Sequence, residues 1–234
     1  MKKLLALTLT AGLATAGAQA VTTTISATPS LSGVELGLTG GYARGLSGEL
    51  FVHAPNIAGA FGVKAGVALT KASDAINDNS PVDPTGIIFP TTYTFGQAKA
   101  DGDASESGSY TVFSLDGTYN VGELSPGLST ALYAGGRYGM FRATEVFNEQ
   151  PVYYRSNAFG IGAGVMLSYP VAANFSLVGD LGIDQFFRSS ITTTDADGNT
   201  DTFQPGEANY AAVSDRFVRP GTVFKARIGI KTSF

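Results

Sequence analysis

The chain has no cysteine and no tryptophan, a single histidine, and only 15% charged residues among its 234. Each shortage excludes something. Without cysteine no disulfide can stabilise an exported chain, and no lipid-modified cysteine can follow a leader. With one histidine, any Ser-His-acid site would have to use His53. A net charge of −4 supplies no basic face for a phosphate backbone, so nucleic acid is not an expected partner. Soluble domains carry about 25% charged residues, so the deficit suggests that something other than water covers part of this surface. Long apolar runs are scarce as well. After the first twenty residues no run approaches the ~20 residues of a membrane-spanning helix, and no helical or heptad period is sustained. The chain is rich instead in glycine, 30 residues, and in strict alternation.

The opening "MKKLLALTLTAGLATAGAQA" has two lysines, an apolar run and the small-residue pattern Ala18-Gln19-Ala20. This is the three-part layout of a secretory signal peptide over residues 1–20. The expectation is a mature chain from Val21, a short N-terminal segment over 21–32, and one domain over 33–234. That length suits a single barrel or sandwich.

Period-two alternation marks eight strands. Their in-phase apolar residues run Val34 to Tyr42, Leu46 to Val52, Ile57 to Leu69, Phe113 to Val121, Thr130 to Met140, Phe159 to Tyr169, Phe175 to Ile183, and Phe224 to Phe234. Tight turns are expected at Ala43 to Gly45, at Pro55-Asn56 and from Gly122 to Gly127. The stretches Ala72 to Gly108, Glu145 to Arg155 and Ile191 to Gly221 read as loops. Thr85 to Ala98 is open to a second reading as an extra hairpin, which Pro90 disfavours as a spanning strand.

The opposite parity of these strands holds Glu35, Glu49, Lys64, Asp116, Arg137, Asp180, Asp184, Lys225, Arg227 and Lys231. Five are acidic and five basic, and none falls on the apolar side. A soluble sandwich or lipocalin-like ligand binder would show the same alternation with its charged face outward. Three features favour lipid on the apolar face. The charged face is dense in small residues such as Gly160, Gly162 and Gly164, which suit a cramped lumen. Aromatics gather near both ends of the apolar face, with Tyr119, Tyr169, Phe175 and Phe234 at one end and Tyr42, Tyr138, Phe159 and Phe224 at the other. The segments have about the 9 to 11 residues that a membrane strand needs.

In this pattern, and above all in the ending "FKARIGIKTSF", the chain resembles the small eight-stranded bacterial outer-membrane barrels of the OmpA, OmpX and opacity-protein kind. The resemblance implies an all-β, eight-stranded antiparallel up-and-down transmembrane β-barrel. It implies outer-membrane lipid as the surroundings, export by a cleaved signal, and a C-terminal assembly signal built on Phe224, Ile228, Ile230 and Phe234. That signal would be read by the outer-membrane assembly machinery. Thr232 departs from the pattern, where a larger apolar residue is commoner. The family spans anchoring, adhesion, narrow pores and lipid enzymes, so the likeness does not assign a role.

Four groups of residues are candidates for chemistry. His53 takes the lumen parity beside a short turn, far from an outer rim, so no enzyme and no cofactor are expected. Asp195, Asp197, Asn199 and Asp201 alternate around Gly198. They read either as oxygen ligands for calcium, though with glycine misplaced for an EF-hand loop, or as a hairpin turn. Asp74, Asp78, Asp83, Asp101, Asp103 and Glu106 make the first long loop acidic, a place for divalent cations or simply a solvated loop. The ten lumen charges form either an ion-paired plug or the wall of a narrow pore for ions or small solutes. An eight-stranded interior is just wide enough for side chains, which favours the plug. The function expected is structural or surface-interacting, through acidic loops.

Overall fold

A computed structural model describes residues 33–72, 74–83 and 86–234. The signal peptide and the segment to residue 32 lie outside the described residues. Eight strands form a closed antiparallel ring. They are β1 (Glu35–Tyr42), β2 (Gly45–Ala58), β3 (Phe61–Ala72), β4 (Ala104–Ser125), β5 (Leu128–Phe147), β6 (Gln150–Pro170), β7 (Phe175–Phe186) and, last in the chain, β10 (Thr222–Ser233). Each pairs with its sequence neighbour in the ring, and β10 pairs with β1 to close it, Glu35 opposite Ser233 and Tyr42 opposite Ala226. Outside the ring, β8 (Ile191–Thr194) and β9 (Thr200–Phe203) form a hairpin laid against the upper part of β6. Two short helices, α1 (Phe95–Asp101) and α2 (Tyr210–Arg216), sit in the loops.

The alternation dictates the faces. Outward residues such as Leu46, Phe159 and Phe224 are 76%, 70% and 71% exposed, while their chain neighbours point inward and are buried. At one end the links are short, residues 59–60, 126–127 and 171–174; at the other, residues 73–103 and 187–221 are long.

Several sequence expectations are corrected. Glu145 to Arg155 is not a loop: β5 and β6 run on as a tall hairpin closed by Asn148 and Glu149, with φ of 48° and 64°. Two successive left-handed residues make the twist that a two-residue hairpin turn requires. The strand is hidden in the sequence because its polarity inverts. From Leu132 to Met140 the apolar residues of β5 other than Tyr133 take the outward parity, but beyond it Phe141 and Ala143 are apolar and inward while Arg142 and Thr144 are outward. Likewise β4 starts at Ala104 inside the expected first loop, and residues 191–221 contain β8, β9 and α2. The strands β4, β5 and β6 are 22, 20 and 21 residues long, well beyond the expected span. Pro55 and Asn56 lie in an irregularity between Ala54 and Ala58, with the turn itself at residues 59–60. From Gly86 to Ala98 the chain forms turns and then α1, not a hairpin; Thr94 caps that helix reciprocally with Gln97.

Candidate functional site: the lumen and its cap

The register brings the ten inward charges together, and all are buried. Nearest the short-turn end, Lys231 Nζ donates to Glu35 Oε1 at 2.7 Å and His53 Nδ1 lies 2.7 Å from Glu35 Oε2. His53 Nε2 is 3.0 Å from Thr118 Oγ1. At mid-height Glu49 takes Lys64 on one oxygen at 2.6 Å and Arg227 on the other at 2.7 Å. Arg227 also reaches Ser47 and lies 3.7 Å from Asp180, whose other oxygen accepts the Tyr133 hydroxyl at 2.6 Å. Above them Arg137 joins Asp116 at 2.6 Å and Asp184 at 2.7 Å, and Lys225 meets Asp184 at 3.1 Å. Every carboxylate in the set thus has a cation, which an ion withdrawn from water requires. The glycines serve this packing: a Cβ on Gly162 would collide with both Asp184 and Arg137.

Tyr133 and His53 complete the network, although counting charges by parity does not include them. A tyrosine at lumen parity opposite Gly164 is the signal that marks the first; its ring also lies 5.2 Å from both Lys64 and Lys225. Side chains leave a pocket of about 20 Å³ around Arg137 and Lys225, and a vestibule of about 150 Å³ at the short-turn end beside Glu35, His53 and Lys231.

Over the charges lies an apolar cap. Phe141 packs edge-on to Tyr110 and Phe186 at 5.3 and 5.0 Å, with Ile76, Phe95, Ile191 and Phe217 wholly buried around them. Loop residues fill the mouth, and Arg216 of α2 ties them to the wall with a forked bond to Glu145 at 2.7 and 2.8 Å. Burial works against the Arg216 charge, but Glu145 more than offsets it and holds the guanidinium pKa above its ordinary value.

The acidic loop is organised around a cation of its own. Lys99 Nζ lies 2.6 Å from both Asp78 and Glu106, and Glu106 also accepts the backbone N–H groups of Ala75 and Ile76. Oxygens of Asp74, Asp78 and Glu106 come within 4.8 Å of one another. In the other candidate set, Asp195 uses both carboxylate oxygens on Asp197 and Asn199 as the turn of the β8–β9 hairpin, while Asp201 lies on β9. At the chain end the Phe234 ring is 68% exposed, and its backbone bonds to Gly33 and Val34 beside β1.

No protein-family model and no curated protein matches the chain. Among solved structures it is similar to a major outer membrane protein from Thermus thermophilus, with 30% identity and a TM-score of 0.76, over 87% of this chain and 99% of that one. The chain belongs to the eight-stranded outer-membrane β-barrels. It resides in the bacterial outer membrane, so its short turns face the periplasm and its long loops the exterior. The outward apolar belt and buried charges of this barrel are the reverse of what a soluble lipocalin-like binder shows water. More distant likenesses are to Acinetobacter baumannii CarO, at 11% identity over 87% of this chain and 98% of that one, TM-score 0.43, and to Ail, the attachment invasion locus protein of Yersinia pestis, at 12% over 86% and 97%, TM-score 0.40.

Proposed function

We propose that this outer-membrane barrel is a closed, non-enzymatic protein with a structural or surface-interacting role, exercised through its acidic extracellular loops. The observation that carries the reading is the double closure of the lumen, ion-paired in its middle and apolar at its mouth. Support for a non-enzymatic role comes from His53, whose two ring nitrogens are engaged by Glu35 and Thr118 at the periplasmic end. The acidic loop residues would attract extracellular cations or cationic partners, with Lys99 as the internal competitor for Asp78 and Glu106. Residues 1–20 act in this reading as a cleaved export signal, and Phe224, Ile228, Ile230 and Phe234 as the signal for the assembly machinery.

The second reading, a narrow pore for ions or small solutes, draws on the periplasmic vestibule. Planar-bilayer recording of the purified barrel separates the two. Little or no steady conductance is expected; a large, stable wild-type conductance rejects the closed barrel and makes the pore the function.

A further inference from the structure

Across three strands and the residue that follows β7 the outward side chains make an aromatic row: Phe113 stands opposite Tyr138, Tyr138 opposite Phe159, and the Phe187 N–H bonds to the Phe159 carbonyl. Such a row marks the outer membrane–water boundary. Two outward positions higher, the register aligns Lys71 with Ser109, Ser109 with Arg142, and Arg142 directly with Arg155. All three cations are exposed. Among the described residues they make no ion pair and no side-chain hydrogen bond, unlike the lumen cations. Like charges directly opposite on neighbouring strands repel, and nothing of opposite sign on this wall relieves them. The outward positions of β4 to β6 between the aromatic row and the β5–β6 turn carry no carboxylate, because Glu106 and Glu145 take the inward parity and are held there by Lys99 and Arg216.

Below the row, β5, β6 and β7 carry a depression of about 560 Å³ lined by Ala134, Ile161, Ala163 and Ile183. Gly136 opens onto free space beside it. From Arg142 to Gly136 the strand descends six residues, roughly 20 Å along its axis. At the tilt of a membrane barrel that is about 15 Å of depth, roughly two thirds of it above the aromatic row, which is within the ~20 Å that one lipid with its headgroup spans.

We propose that the outer wall of β5 and β6 binds one outer-leaflet lipid with a phosphate-bearing headgroup. The phosphate sits between Arg142 and Arg155, and an acyl chain runs past Phe159 into the depression beside Gly136. The anion relieves the arginine pair, and the chain fills a gap that neighbouring side chains leave.

The test is native mass spectrometry of the full-length purified barrel, equilibrated with equal amounts of phosphatidylglycerol and phosphatidylcholine of matched chains. The wild type should retain phosphatidylglycerol in preference, and the preference should fall about fivefold for each arginine replaced in R142Q and in R142Q/R155Q, the scale of one cation at an anionic surface. Heat-modifiable migration checks that the variants fold. If the double variant does not fold, S109E, which sets a carboxylate opposite Arg142, should abolish the preference. Inorganic phosphate and glycerol phosphate at millimolar concentration should not displace the lipid; displacement by either would reduce the site to an anion site and overturn the lipid assignment. Equal retention of the two lipids by the wild type, or an undiminished preference in R142Q/R155Q, would overturn the site altogether.

Discussion

Arg137 shows what a single residue carries in this barrel. Its side chain is wholly shielded and is the link between Asp116 and Asp184. Removing it leaves two buried carboxylates with less compensation, so Arg137→Ala should lower stability by about 3 to 5 kcal/mol, read as the shift in urea midpoint of the barrel in micelles. Arg137→Lys should recover only part of this, because an ammonium cannot fork between two carboxylates. A second residue-scale effect lies outside the membrane, at Asp195. Hydrogen bonds from the Asn199 side chain and backbone, and from the Asp197 backbone, hold its carboxyl below the ordinary aspartate range. A depressed folded pKa means that its contribution is present above the unfolded value, near 3.9, and is lost as pH falls through the folded one. The β8–β9 hairpin should therefore resist pepsin better near pH 4 than at lower pH. Asp195→Asn should weaken that pH dependence between residues 191 and 203; an identical profile would separate the turn from Asp195 ionisation.

At the scale of the strand, the important feature of β5 is that one parity serves two solvents. Leu132 points into hydrocarbon, and near the top of the same face Thr144 points into water. Leu132→Arg should cost about 2 to 4 kcal/mol if it lies near the bilayer midplane, whereas Thr144→Arg should be close to neutral. Ala143→Arg, one residue away but inside the cap, should be strongly destabilising because it places a cation in an apolar cluster. Urea midpoints of the three variants check the pattern; equal costs at Leu132 and Thr144 would contradict the polarity switch. The same switch explains what can be read from the sequence. The eight spanning strands are legible because Leu132, Ile161, Leu181 and Ile228 keep one phase against lipid. The upper halves of β4, β5 and β6 are not, since Phe141, Ala143 and Tyr154 change phase once the apolar environment moves indoors. The lumen charges are identifiable from parity alone, but their pairing is not. Strand adjacency would match Arg227 with Glu35 or Asp180; it lies 3.7 Å from Asp180 and bonds more closely to Glu49 on β2. That bond reaches past β1 across the lumen, a distance that nearest-strand reasoning does not cover.

For the whole molecule, the two closures are independent, which makes the conductance experiment stricter. Opening the cap alone, by replacing Ile76, Phe95, Phe141 and Phe217 with alanine, should leave the barrel non-conducting because the ion-paired layer remains. Conductance should require loss of charge pairs as well, for example in a variant that also neutralises Arg227, Glu49 and Lys64. A conducting cap variant would locate the seal in the cap instead. Assembly is also a whole-molecule property. Deleting Phe234 should leave export intact and strand the chain in the periplasm, seen as loss of the heat-modifiable band from the outer-membrane fraction. Normal assembly without Phe234 would remove the terminal ring from the signal.

The seam between β1 and β10 is latched by Glu35 and Lys231, 196 positions apart in the chain. A closure that long costs roughly 5 kcal/mol of chain entropy on the logarithmic scale, whereas the β5–β6 hairpin closes over two residues. The ring therefore has a natural order of zipping, local hairpins early and the seam late. Yet for the ring itself, as distinct from assembly through Phe234, the cut is incidental, since the Gly33 N–H bonds to the Phe234 carbonyl at 2.7 Å. Joining the ends there and reopening the chain at residues 126–127 would give a circular permutant with the same ring. Its last gap to close would lie between β4 and β5, so the late step in folding belongs to the connectivity of the chain and not to any strand.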